Sequence, residues 1–303
     1  MSVLDRVGSA DVLRGTAGVL EVVLSVDGVP TDPDPSPGPQ VTVVDAAGVV
    51  VVTPALAIAV GGGSGKLRFI VTPDKTAEVG EWQATWTLTQ GGVQQWVTTY
   101  HRIVGDVLFT LAEARAFDGG ALASSTSYPD ADVLAARDRI ADAFAEICGV
   151  SFGARYAREL LDGAGSDSIR VSNGRVLAVR SVKTRIAGAW TDFTGSELAD
   201  LVVYPNSVIC RDTLGSFPAG RRNVEVEYEH GLQPVPAEIR LAALRLLRDQ
   251  LVKSPLDDRA TSQAGEFGTF ALATAGRNGS YFGLPLVDEV LNRYRAERLP
   301  VVA

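Results

Sequence analysis

Few residues in this chain of 303 could do chemistry, and their spacing argues against most of it. The two histidines, His101 and His230, each adjoin strand-like residues. Either could serve as a general base, but no neighbouring nucleophile is suggested, and a GxSxG elbow is absent. His230 before Gly231 reads most simply as a turn residue. Gly61–Lys66 (GGGSGK) approaches a phosphate-binding loop. That pattern needs Gly where Val60 stands and Ser or Thr where Leu67 stands, and without the hydroxyl there is no magnesium ligand. The segment is therefore expected to be a turn. Asp32 and Asp34 in a Pro-rich loop could pair on calcium, and Asp257-Asp258 offers a second acidic pair, but solvated loops are the simpler reading of both. Cys148 and Cys210 stand far apart, outside any CxxC pair, so neither a zinc site nor a disulfide framework is expected. No constellation has the nucleophile, base and oxyanion donors of an active site, so the chain is expected to be no enzyme and to hold no cofactor or metal.

Composition agrees with a folded, acidic protein. Hydrophobic residues make up 46% and charged residues 21%, and the formal net charge is −8. Residues 1–105 hold 6 Lys/Arg against 10 Asp/Glu, and the remainder holds 22 against 26, so each part carries −4. Gripping a phosphate backbone needs clustered cations, and nothing in the overall balance suggests it. The stretch MSVLDRVGSADVLRG carries acids early and lacks the apolar core of a signal peptide, and no apolar run would span a bilayer.

The elements divide at Gly105-Asp106. Before it, runs near Val12–Val26, Gln40–Val44, Gly48–Val52, Leu56–Val60, Lys66–Thr72, Glu81–Thr89 and Val93–Ile103 predict an immunoglobulin-like β-sandwich over 1–105. Trp82, Ala84, Trp86 and Leu88 share one face by period two and are expected to fill its core. Trp82 or Trp96 exposed as a patch would instead suit a glycan platform. After the boundary the period becomes 3.6. Thr110 and Glu113 form a capping box for a helix over Phe109–Phe117. Pro129 opens a second helix, with Val133, Ala136, Ile140, Ala143, Phe144 and Ile147 as its stripe and Gly149 as its stop. Ser151–Leu161 reads as a short third segment. Asn173-Gly174 predicts a hairpin between Ser168–Ser172 and Arg175–Lys183, followed by strands at Trp190–Phe193, Leu201–Tyr204 and Ser207–Arg211.

The most telling stretch is Asn223–Gln250, NVEVEYEHGLQPVPAEIRLAALRLLRDQ. Val224, Val226 and Tyr228 alternate with Glu225, Glu227 and Glu229, which predicts a half-buried strand. His230-Gly231 ends it, and Pro236 opens a helix with Glu238 in the first turn. Ile239, Ala243, Leu244, Leu246, Leu247 and Leu251 cover a broad apolar arc, while Leu241 and Val252 interrupt the charged remainder. Ser254–Gly283 lacks helical periodicity and is long for a loop. Pro285 opens a last helix with Val287, Val290, Leu291 and Tyr294 at i, i+3, i+4, i+7.

Together the Pro129 helix through Cys148-Gly149, the Asn173-Gly174 hairpin and the Val224–Gln250 element resemble the head-to-tail connector (adaptor) proteins of long-tailed double-stranded DNA phages. The similarity covers about residues 108–254. It implies an α+β multidomain chain: the sandwich over 1–105, a helical connector domain with an inserted β-hairpin or small sheet over 106–254, and an extended C-terminal arm with a terminal helix over 255–303. It implies a structural virion protein at the head–tail junction, assembled in a bacterial cytoplasm as a ring, commonly a dodecamer. Its partners would be the portal protein, a neck or tail completion protein, and DNA passing through the lumen without sequence-specific contacts. Leu241, Arg245 and Val252 are the expected ring contact. Phe267, Phe270, Leu272, Val287, Leu291 and Tyr294 are the expected portal-binding arm, the alternative being that the last helix packs back on its own domain. The competing class is a phage tail or surface glycan-binding module. The sandwich is expected to bury its tryptophans and to be dispensable for the ring.

Overall fold

The computed structural model describes residues 11–26, 28–213, 215–252, 260–262, 271–272 and 281–296. The chain divides into two compact units, Met1–Gly105 and Asp106–Ala303.

The first unit is all β. Its strands are β1 (Val12–Leu13), β2 (Gly18–Val23), β3 (Ser25–Val26), β4 (Val29–Pro30), β5 (Gln40–Asp45), β6 (Val50–Leu56), β7 (Ile58–Ala59), β8 (Lys66–Val71), β9 (Gly80–Gln90) and β10 (Val93–Val104). One sheet runs β1-β10-β9-β5-β6 and another β2-β8-β7, with β3 and β4 as a small ladder. Period-two alternation turns Leu20, Val22, Val41, Val43, Leu67, Val71, Trp82, Ala84, Trp86 and Leu88 inward to one shared core. The long β9–β10 hairpin turns at Gly91-Gly92, both at positive φ, as a two-residue connection matched to strand twist requires. Trp96 departs from the expected burial. Val97, Thr99, His101 and Ile103 take the inward positions of β10, so Trp96 is left 71% exposed.

The second unit contains α1 (Leu111–Ala116), α2 (Asp130–Cys148), β11 (Arg155–Gly163), β12 (Ser168–Arg170), β13 (Val176–Ile186), β14 (Ala189–Asp192), α3 (Gly195–Ala199), β15 (Leu201–Tyr204), β16 (Val208–Arg211), β17 (Gly220–His230), α4 (Ala237–Leu251), β18 (Ala260–Ser262), β19 (Ala271–Leu272) and α5 (Pro285–Ala296). Thr110 caps α1 with both limbs of its capping box, and Gly149 at φ 67 stops α2. Helices α1, α2, α4 and α5 enclose one apolar core that includes Phe109, Val133, Ile140, Phe144, Ile239, Leu247, Val287 and Leu291.

The expected helical connector domain with a small β insert is overturned. The protein is 41% strand and 24% helix. The second unit carries a four-stranded sheet, β11-β17-β13-β14, and a three-stranded sheet, β12-β16-β15. These strands have a core of their own, with Ile169, Val171, Val182, Ile209, Phe217, Val224, Val226 and Tyr228. Two local signals account for the difference. The segment expected as a short third element after α2 is the nine-residue strand β11, paired along β17. The Asn173-Gly174 turn joins no hairpin: β12 pairs with β16, and β13 with β17 and β14. Asn173 instead donates from its side chain to Tyr228 Oη at 2.9 Å, and the left-handed residue is Arg175. A dipeptide that favours a tight turn was outweighed by long-range pairing to β17. The two-residue hairpin of this unit lies at Ala187-Gly188, between β13 and β14.

Candidate functional site

The β17–α4 element is a continuous packed unit. On β17, Val224, Val226 and Tyr228 are buried, as the alternation required. The opposite acidic row is not bare. Arg158 of β11 meets Glu225 at 2.8 Å and Glu227 at 3.7 Å, and Arg180 of β13 meets Glu229 at 2.5 Å. Cross-strand pairing thus balances the charge of the central strand by its two neighbours. On the buried face Tyr228 donates to Glu159, and burial followed by that bond pushes its phenol above the usual tyrosine range.

The His230-Gly231 turn has a steric cause. Gly231 sits at φ 127, and a Cβ there would lie 2.3 Å from the carbonyl oxygen of Gly153. Only glycine permits that approach. Leu232 N donates to Ser151 O at 2.8 Å and Gly153 N to Leu232 O at 2.7 Å, which ties the end of β17 to the segment between α2 and β11. His230 is buried at this junction. Burial first, then Arg155, lowers its imidazole pKa to about 4. It is a turn-adjacent core residue here.

Pro236 then opens α4. Asp106 Oδ2 accepts from Val235 N at 3.1 Å, and Arg240 reaches Glu113 at 2.9 Å, joining the start of α4 to α1. Ile239, Ala242, Ala243, Leu244, Leu246 and Leu247 are buried. Leu241 is not: it is 42% exposed. Arg245, one turn on, is half-buried and lies on the same stripe of the helix by spacing. Val252 is drawn toward the helical core instead, against which it packs.

The expected arm is divided. Phe267 and Phe270 lie outside the described residues, as do Asp257-Asp258. Leu272 lies in β19, whose backbone pairs with β18. Val287 and Leu291 are fully buried against α2 and α4, and Tyr294 donates to Glu238 at 2.8 Å and packs edge-on against Phe152. Helix α5 therefore docks on its own unit. Val287, Leu291 and Tyr294 are structural residues of that unit, not free anchors, because the i, i+3, i+4, i+7 stripe finds its apolar partner within the chain.

The remaining chemical candidates are engaged locally. Asp32 accepts from Gly63 N and Gly65 N, at 2.9 and 2.8 Å. The glycine-rich loop thus cradles a carboxylate of its own chain with the backbone amides a phosphate would need. Asp34 accepts from Gly92 N at 2.8 Å, in a different turn. Each carboxylate braces its own loop. His101 is 2% exposed in the sandwich core and lies 2.7 Å from Thr99 Oγ1, which accepts from Trp86 Nε1 at 2.9 Å. Burial lowers its pKa to about 4. No substrate could reach it. Cys148 is buried, its thiol 3.6 Å from Leu291 O, and Cys210 is half-buried; no disulfide joins them. Among the described residues no group of three His, Cys, Asp or Glu could hold a metal ion, and no helix is long and apolar enough to cross a membrane.

No protein-family model matches the chain, and no curated protein matches it. Among solved structures, the neck of an empty GTA (gene transfer agent) particle computed with C6 symmetry is 19% identical, covering 56% of this chain and 80% of that chain at a TM-score of 0.37. The neck of a native GTA particle computed with C12 symmetry is 19% identical over 61% of this chain and 93% of that one, also at 0.37. A chimeric titin Z1Z2 is 17% identical over 32% of this chain and 85% of that one, at 0.20. These TM-scores fall short of a shared overall fold.

Proposed function

We propose that the chain is a structural component of a phage-like virion, not an enzyme. In this reading it is a head-to-tail connector, assembled as a ring between the portal protein and the neck or tail. The observation that carries it is the β17–Gly231–Pro236–α4 element. The strand, the sterically required turn and the arginine-bearing helix form one braced unit, and that unit leaves the apolar Leu241 exposed on a helix whose Ile239, Ala242, Ala243, Leu244, Leu246 and Leu247 are buried. An apolar residue on a rigid helix suits a head-to-tail contact between copies, and such a contact closes into a ring when its rotation allows. Native mass measurement of the purified chain, alone and with a portal ring, tests the reading. Leu241→Glu should abolish self-association while the thermal midpoint stays close to that of the parent. A parent chain that is monomeric at all concentrations and does not dock on a portal overturns the connector.

A second reading is favoured by Trp96. Its indole, with Tyr100 two positions further along the same face, makes the sandwich present aromatic surface. Thr98 between them and Thr85 and Thr87 on β9 set hydroxyls among the rings, with Arg102 opposite Glu81 as the charged end of that face. Such a surface suits the apolar faces of a neutral glycan. Retention on immobilised bacterial cell-wall polysaccharide, lost in Trp96→Ala, supports a glycan-binding module; no retention of the parent chain removes it.

A further inference from the structure

We propose that one end of the β11-β17-β13-β14 sheet binds the phosphate backbone of duplex DNA through Arg185, Arg221 and Arg222. The inference rests on the connector reading for the identity of the polyanion; the surface itself is read from the sheet.

Register brings the three arginines to one end. β13 pairs with β17 as far as Thr184 opposite Val224, and Arg185 is the next residue of β13. The hairpin then turns, setting Trp190 of β14 opposite Arg185 and Ala189 opposite Ile186. On the other flank, β11 pairs with β17 as far as Leu161 opposite Val224, then skips to Gly163 opposite Gly220. The skip is a bulge, in which Arg221, Arg222 and Asn223 of β17 stand against Asp162 of β11.

That bulge is held by its own set of contacts. Arg222 adopts φ 47, a left-handed conformation that residues with a Cβ rarely take. Its amide donates to Asp162 Oδ1 at 2.6 Å. The buried Asn223 side chain accepts from Gly163 N at 2.9 Å and donates to Pro218 O at 2.8 Å. Gly163 is packed so closely that a Cβ would lie 1.9 Å from that same carbonyl oxygen. Bulges re-aim side chains, and strained backbone persists where surrounding contacts over-determine it. Here two adjacent arginines are left exposed at the bulge.

Charge separates this end from the rest of the sheet. Arg158, Arg180 and Lys183 are matched by Glu225, Glu227, Glu229 and Asp192. Arg185, Arg221 and Arg222 enter no ion pair with a carboxylate among the described residues. Arg185 lies over the Trp190 ring at 5.4 Å, which orients its planar group. The acids at this end are Asp162, engaged by the Arg222 amide, and Asp192 and Glu225, 3.6 and 3.9 Å from Lys183. Arg185, Arg221, Arg222 and Lys183 against these three carboxylates leave a local excess of one positive charge on a chain whose net charge is −8. Guanidinium forks match phosphate oxygens two at a time. The same excess could meet the acidic surface of a second copy, so the test separates the two.

The experiment is fluorescence anisotropy of a short labelled duplex of random sequence, titrated with the full chain between roughly 50 and 200 mM salt. Three phosphate contacts lower affinity about 40-fold across that range, at about 0.9 per contact in log–log slope. The triple variant Arg185→Gln, Arg221→Gln, Arg222→Gln should flatten the slope by about 3, and Arg221→Gln alone by about 1. Arg68→Gln, in the sandwich, should leave it unchanged. Absence of binding by the parent at the lowest salt, or an unchanged slope in a folded triple variant, overturns the proposal. Loss of self-association in the triple variant with no change in DNA binding also overturns it, and assigns the surface to a second copy. The duplex assay uses the single chain, so it can fail while ring formation stands, and the reverse.

Discussion

Acid should destabilise the N-terminal unit through one buried imidazole. His101 is held neutral in the core beside Thr99 and Trp86, and burial lowers its pKa from 6.5 to about 4. Its Nδ1 has no hydrogen-bond partner, so a proton gained there would leave a charge unpaired in the core. Above pH 6.5 neither folded nor unfolded chain holds the extra proton, and the neutral histidine contributes its full stability. As pH falls below that value, the unfolded chain binds a proton that the folded chain refuses, and the contribution is lost until about pH 4. Each pH unit in the window is worth 1.36 kcal/mol, so the loss reaches about 3 kcal/mol. That is a large part of the 5–15 kcal/mol typical of a domain. Urea unfolding of the full chain, followed by tryptophan emission, reads it directly. Trp82, Trp86 and Trp96 lie in the first unit, and only Trp190 lies in the second. The midpoint should drop by about 1–3 M between pH 7 and pH 4. His101→Gln removes the titration while keeping a polar atom near Thr99, and its midpoint should follow only the carboxylate background. Parallel pH profiles for parent and variant would refute the argument. So would an imidazole NMR signal for His101 titrating near 6.5 in the folded protein.

Gly231→Ala should cost roughly 1–3 kcal/mol from its backbone conformation alone, with more from the collision with Gly153, seen as a lowered thermal midpoint of the second unit. Leu291→Ala should cost about 2–5 kcal/mol, because its side chain is wholly enclosed by α2 and α4; a thermal midpoint equal to the parent's would mean that α5 is not part of that core.

Much of the secondary structure was legible from local physics. The capping box at Thr110 and Glu113, the stop at Gly149, the alternation over Val224–Tyr228 and the start at Pro236 are interactions between near neighbours in the chain. Neighbours carry their instruction with them. The failures lie where distant segments compete. Asn173-Gly174 has the best turn chemistry in the second unit, yet its side chain is drawn to Tyr228 and Glu159, more than ten residues away. β11 looked like a minor segment because its pattern is weak, and it became a strand because β17 offered a full ladder. The balance of helix and strand in the second unit therefore came out differently from the sequence expectation.

The candidate surfaces divide in the same way. Composition and spacing alone determined that no chemical constellation stands out, that the chain is acidic, and that α4 has more apolar positions than one stripe needs. Only the tertiary structure decided which of those positions stay open. Val287 and Leu291 had the spacing of anchors, and packing on α2 and α4 consumed them. Trp96 was one tryptophan among three on the late strands, and the pleat of β10 turned it outward. Arg221 and Arg222 carried no signal, since two adjacent arginines are ordinary in a sequence. A bulge set by Asp162 and Asn223, two residues whose partners lie on other strands or loops, leaves them exposed at the sheet end where Arg185 lies. Periodicity reports which face a residue takes within its own element, but exposure depends on what another element places against that face.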